Sequence, residues 1–171
     1  APQVGRATTQ PDGGIGVGTR ESGLNYLAPG ASGFRHFRHV AGNPASLLDD
    51  RVRSVLVDSK GQVWVGGVNG LQRMLGSKAG FEPVASDPLD ATSLAGQTVR
   101  TMFEAQDGKL WLGTNANGVA WLESGKLPLH RPALQDAASE QLGHGIITTI
   151  SQPQPDQIWL GQRNGGIVIL H

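Results

Sequence analysis

The chain has 171 residues, 38% of them hydrophobic, and its 14 basic residues balance 14 acidic ones. That length supports one well-buried domain, and a neutral chain without a basic block lacks the electrostatic footprint of a nucleic-acid binder. No run approaches the roughly 18 apolar residues of a membrane span, so no membrane contact is expected within this segment, and no signal-peptide pattern opens it. The sequence begins at Ala1 without an initiating methionine, which reads as processing or excision, and the absence of cysteine excludes disulfides and thiolate metal sites.

Glycine stands out, with 25 residues, about twice the usual share of roughly 7%. It is dispersed between short β-rich runs, which points to many tight turns and an all-β chain. The first patterned stretch, VGRATTQPDGGIGVG (4–18), reads as two strands about a polar turn. The polar loop TRESG (19–23), a third strand LNYL (24–27) and a fourth at FRHF (34–37) follow it. A long connection carrying Leu47 leads to VRSVLVDSKGQVWVG (52–66), the short loop ending at Gly70, and strands LQRM (71–74) and FEPV (81–84). Past Leu94 come VRTMFEAQDGKLWLG (99–113), the loop TNANG (114–118), VAWL (119–122) and LPLH (127–130). Past Leu142 the pattern closes with ITTISQPQPDQIWLG (147–161), QRNGG (162–166) and IVIL (167–170).

These fifteen-residue units align without a gap, and their starts lie 48, 47 and 48 residues apart. A period in the forties with β patterning is the signature of a propeller, whose blades have four antiparallel strands and a long connection to the next. The expected fold is therefore an all-β partial propeller forming one domain over 1–171. Its blades are expected near 4–37, 52–84, 99–130 and 147–171, the last without its outer strand, making about 3.75 blades. A turn column reads Gly13, Gly61, Gly108 and Asp156, where positive φ is tolerated. A second strand carries Trp64, Trp111 and Trp159 in register, with Gly16 in the first copy. Trp111 is expected to pack between neighbouring blades. In the next glycine column (Gly18, Gly66, Gly113, Gly161), Gly113 is expected to let the backbone bend or approach a neighbour, and Gly118 to close a turn. A phosphate cradle in GKLWLGTNANG (108–118) is excluded, because VAWL reads as strand rather than as the helix such a loop needs.

The combined pattern resembles the two-component regulator propeller repeat, on VRSVLVDSKGQVWVGGVNGLQRM, VRTMFEAQDGKLWLGTNANGVAWL and ITTISQPQPDQIWLGQRNGGIVIL. The connection FRHFRHVAGNPASLLDDRVRS fits the passage between blades in that family. The resemblance implies the extracytoplasmic, periplasmic sensor region of membrane-anchored bacterial histidine kinases or diguanylate cyclases. Propellers of this kind close with more blades than are seen here. The chain is thus expected to be a piece completed by the remaining blades, or a half-ring closed by a second copy.

Catalytic constellations are thin. His36 and His39 lie three apart, which on a strand sets them on opposite faces and excludes a metal pair. The Asp49–Asp50 pair reads as a solvated turn, and no G-x-S-x-G occurs. His144 lies in a glycine-flanked connection facing the ligand-binding end, which makes it the histidine most suited to a role. The polar loops share that face, so Arg20, Asn69, Asn115, Asn117, Arg163 and Asn164 offer donors to an anionic or saccharide-like small molecule. Arg53 and Arg100, at equivalent positions of the inner strands, are placed to point toward the channel. No cofactor or metal is called for. The reading is a non-enzymatic, ligand-sensing module. The alternatives are a lyase of the streptogramin type, with His144 in the place of its metal-assisted histidine, and a protein-interaction scaffold.

Overall fold

The computed structural model describes residues 4–9, 14–76, 80–85, 87–90, 93–123, 126–132 and 145–171, with backbone alone at 4–9 and 126–127. Among them, fifteen strands form four antiparallel sheets in which sequence neighbours pair. The first holds β1 (Val4–Thr9), β2 (Ile15–Thr19), β3 (Leu24–Leu27) and β4 (Arg35–Phe37). The second holds β5 (Val52–Val57), β6 (Val63–Gly67), β7 (Gly70–Met74) and β8 (Phe81–Val84). The third holds β9 (Val99–Glu104), β10 (Leu110–Thr114), β11 (Val119–Glu123) and β12 (Lys126–His130). The fourth has β13 (Ile147–Gln154), β14 (Gln157–Gln162) and β15 (Gly166–Leu170). The inner strands β1, β5, β9 and β13 pack side by side in that order. This is a partial propeller with its channel-side strands in sequence order.

Strand alternation sends one row of each sheet to the preceding blade and the other to the following one. Three apolar cores result among the described residues, one at each boundary. Leu24 and Tyr26 meet Val55, Val63 and Val65 between the first two sheets. Trp64 and Leu71 meet Val99, Leu110 and Leu112 at the next boundary, and Trp111 and Val119 meet Ile147, Ile158 and Leu160 at the last. Leu47 and Leu94, from the long connections, are fully buried within the first two of these cores. Leu142 falls outside the described residues.

Trp111 packs at a boundary as its register suggests, and tilts against Trp121 at 4.9 Å between ring centroids. The Gly113 column has a specific cause. A Cβ at Gly18, Gly66 or Gly113 would lie 2.6–2.8 Å from Val52, Val99 or Ile147, the first inner-strand residue of the next blade. The turn glycines Gly61 and Gly108 have φ of +77° and +80°, and the loop glycine Gly118 has +61°, left-handed values that favour glycine.

Each boundary between later blades is also fastened at the end of the molecule where the inner strands finish. The Ser59 N–H and hydroxyl donate to the Glu104 carboxylate at 2.6 and 2.7 Å. One blade on, the Gln106 N–H donates to Gln152 Oε1 at 2.8 Å. In the aligned repeats these are the same two positions. At the first boundary those positions are Pro11 and Val57, which carry neither an amide hydrogen nor a side-chain acceptor.

One sequence expectation needs correction. His36 lies on β4 and bonds Asn25 Oδ1, but His39 is beyond the strand. Its Nδ1 meets the Leu47 carbonyl at 2.7 Å, and its N–H donates to Asp50 Oδ1 at 2.7 Å. These two bonds tie His39 to the connection, outside the strand.

Candidate binding site at the loop end

The opposite end of the arc gathers the starts of the inner strands, the long connections and the polar loops. There the inner strand of every sheet slips by one residue against its partner. Val52 pairs with Gly67 but Ser54 with Gly66, and Val99 pairs with Thr114 but Thr101 with Gly113. The same slip separates Val4 from Arg6 and Ile147 from Thr149. Each is a bulge whose extra residue is Gly5, Arg53, Arg100 or Thr148. A bulge raises local twist and re-aims a side chain. In the two middle blades that side chain is a guanidinium.

The loops beside the bulges are built by threonine. Buried Thr114 donates its hydroxyl to the Gly118 carbonyl at 2.9 Å and accepts the Asn117 N–H at 3.0 Å. Thr19 repeats this with Gly23 and Ser22 at 2.9 and 2.8 Å. Asn115 is thereby fixed next to the bulge. Its N–H donates to the Thr98 carbonyl at 3.1 Å, and its Oδ1 accepts Arg100 Nε at 2.8 Å. The Arg163 N–H makes the corresponding backbone bond to Ile146 at 3.0 Å.

Arg100 and Arg53 are half-buried, whereas Arg20 and Arg163 are exposed. Burial holds the pKa of Arg100 below its usual range, and the positive charges of Arg163, Arg53 and Arg20 push it further the same way. Arg100 thus lies within the field of the other three arginines. Among the described residues, no carboxylate forms an ion pair with any of them.

The other expected residues divide. Asn69 donates to Asp49 Oδ2 at 3.4 Å, and Asp49 is gripped by Arg51 Nε and Nη2 at 2.8 and 2.7 Å. That hydrogen bonding from Arg51 keeps the Asp49 carboxyl below the ordinary carboxylate range. Asn117 turns its backbone carbonyl to Arg131 Nη1 at 2.9 Å, and Asn164 is exposed between β14 and β15. His144 lies outside the described residues. Thr19, Thr114 and Arg131 build the loops and were not singled out from sequence. A threonine directly after the glycine that ends the second strand (Gly18, Gly113), with a four-residue span to the next glycine (Gly23, Gly118), was the available signal. A pocket of about 260 Å³ lies at the other end, around Glu104 and Gln152, but those side chains are already spent on the fastenings between blades.

A family model described as two component regulator propeller matches residues 46–69 and 93–116, each running from a connection through the inner strand to the polar loop. The matched segments carry the two-component regulator propeller repeat over β5–β6 and β9–β10, two strands of each middle blade. No curated protein matches the chain. Among solved structures, it is similar to the extracellular domain of the putative one component system BT4673 from B. thetaiotaomicron, with 23% identity and a TM-score of 0.69. It is also similar to the extracellular domain of the putative hybrid two component system BT3049 from the same organism, with 20% identity and a TM-score of 0.65. The match covers 97% and 98% of this chain but spans only 21% and 27% of those domains. YCF48 from Cyanidioschyzon merolae shares the fold at 12% identity and a TM-score of 0.67, over 98% of this chain and 50% of that one.

Proposed function

We propose that this chain is a non-catalytic, ligand-sensing section of an extracytoplasmic propeller sensor in a bacterial signal-transduction protein. The observation that carries the reading is the loop end: arginines from all four blades, two on bulges and two on loops, with Arg100 held by Asn115 within the charge of the other three. The regulator propeller repeats, and the extracellular domains that share the fold, support the sensory setting. A ligand held there touches several blades at once and alters how they pack. That change in geometry is what an output domain would read. Further blades, or a second copy, complete the ring. Ile167 and Ile169 on β15, 63% and 39% exposed, lie in the sheet face that corresponding residues Leu71 and Val119 bury against a following blade.

The test uses the complete receptor that contains this chain, with a transcriptional or kinase readout. Arg20→Ala and Arg163→Ala should lower the response while circular dichroism of the variants stays that of the parent. A full response from the double variant would sink the reading.

A further inference from the structure

We infer that Arg20, Arg53, Arg100 and Arg163 form a binding site for a ligand bearing two or more oxyanion groups. The inference deepens the sensing proposal for the same end of the propeller and rests on it.

The backbone makes the first argument. Bulges at equivalent positions of the neighbouring strands β5 and β9 set Arg53 and Arg100 side by side at one end of the channel. The first and fourth blades deliver Arg20 and Arg163 from matching loop positions, directly after Thr19 and Gln162. A bulge shared by every blade carries no charge in itself, since the first and fourth have Gly5 and Thr148 there. The charge is a feature of this sequence laid over a feature of the fold.

The second argument is compensation. The chain as a whole is neutral, yet this end concentrates four positive side chains without an acidic partner among the described residues. The carboxylates of the adjoining connection are committed elsewhere: Asp49 to Arg51, and Asp50 to Arg38 and the His39 N–H. Converging guanidinium groups repel one another and are retained where an anion completes them. Geometry supplies the third argument. Asn115 takes only Nε of Arg100, so the two terminal nitrogens keep their donors, and a guanidinium presents such donors as a fork that matches carboxylate, sulfate or phosphate.

Titration calorimetry of the complete propeller that contains this chain, with pyrophosphate and with citrate, tests the site, the first probing tetrahedral oxyanions and the second carboxylates. Saturable binding of either is expected. Arg53→Gln and Arg100→Gln should each weaken it about tenfold, as loss of a charge-assisted hydrogen bond does. Lys60→Gln, a change of equal charge at the other end, should leave it within about twofold, since exposed charges farther than a Debye length of roughly 8–10 Å are screened. Without ligand, the Arg53→Gln/Arg100→Gln protein should melt no lower than the parent, which separates a binding role from a structural one. Absence of saturable binding by both probes, or equal binding to the double variant, overturns the inference. If the receptor still loses its response through Arg20→Ala/Arg163→Ala in that case, sensing stands and only the anionic ligand falls.

Discussion

Replacing Gly113 with alanine sets a methyl carbon 2.6 Å from Thr101 Cγ2, 2.7 Å from Ile147 Cγ2 and 2.8 Å from Ile147 Cβ. Thr101 and Ile147 are 1% and 0% exposed, so neither swings into solvent to make room. Overpacking of this kind costs about 1–3 kcal/mol, and the reduced freedom of alanine in the unfolded chain returns about 0.4–1 kcal/mol. A net loss of about 1–2 kcal/mol follows, or roughly 2–8 °C in Tm for a domain of this size. Gly161 occupies the same column, but a Cβ there comes close only to Thr149 Cγ2, at 2.5 Å, on an exposed side chain of its own blade. Gly161→Ala should therefore stay within about 0.5 kcal/mol of the parent. Urea unfolding followed by tryptophan fluorescence measures both. Equal losses for the two variants would refute the claim that the column exists to admit the next blade.

Three further outcomes are expected. Trp64 donates Nε1–H to Asp58 Oδ2 at 2.9 Å, whereas buried Trp111 Nε1 has no hydrogen-bond partner among the described residues. Trp64→Phe should then cost about 1–2 kcal/mol more than Trp111→Phe in denaturant titration, and matching costs would contradict this. The Asp49 pKa is lower folded than unfolded, so its contribution is present above the unfolded value of about 4 and fades as pH falls through the folded one. Asp49→Asn should lower Tm at pH 7 and leave it unchanged at the acid end of a pH series, and a uniform shift would argue against the link. Glu104→Val, which copies Val57, should remove the bonds to Ser59 and speed exchange of the Ser59 amide in hydrogen–deuterium measurements; unaltered exchange would show that the fastening is idle.

The propeller was legible because its signals repeat: the valine-rich inner strand, the turn glycine and W-[VL]-G recur at fixed spacing, and strands β3, β7, β11 and β15 begin within one residue of the segments read from sequence. The bulge was invisible for the same reason. All four copies contain the extra residue, so aligning them shows no insertion, and only strand pairing exposes Arg53 and Arg100 as the inserted positions. The arginines themselves were picked out by residue type and position in the repeat. Their mutual approach was not, since Arg20 and Arg163 are separated by the whole arc in sequence. Thr19 and Thr114 stood only as the first residues of the polar loops, because their work is done by one hydroxyl each.

The fastening between blades has a direction, and this bears on how such an array can lengthen. The third repeat carries both halves, the Gln106 amide for the blade after it and the Glu104 carboxylate for the blade before it. A tandem duplicate of that repeat would set the Gln106 amide against a Glu104 carboxylate, so the new seam keeps its backbone bond. A duplicate of the second repeat would set Val57 against the Ser59 amide and leave the seam without its bond. Gene duplications that copy the third unit are therefore admissible as they stand, while those that copy the second require a compensating substitution at the new junction.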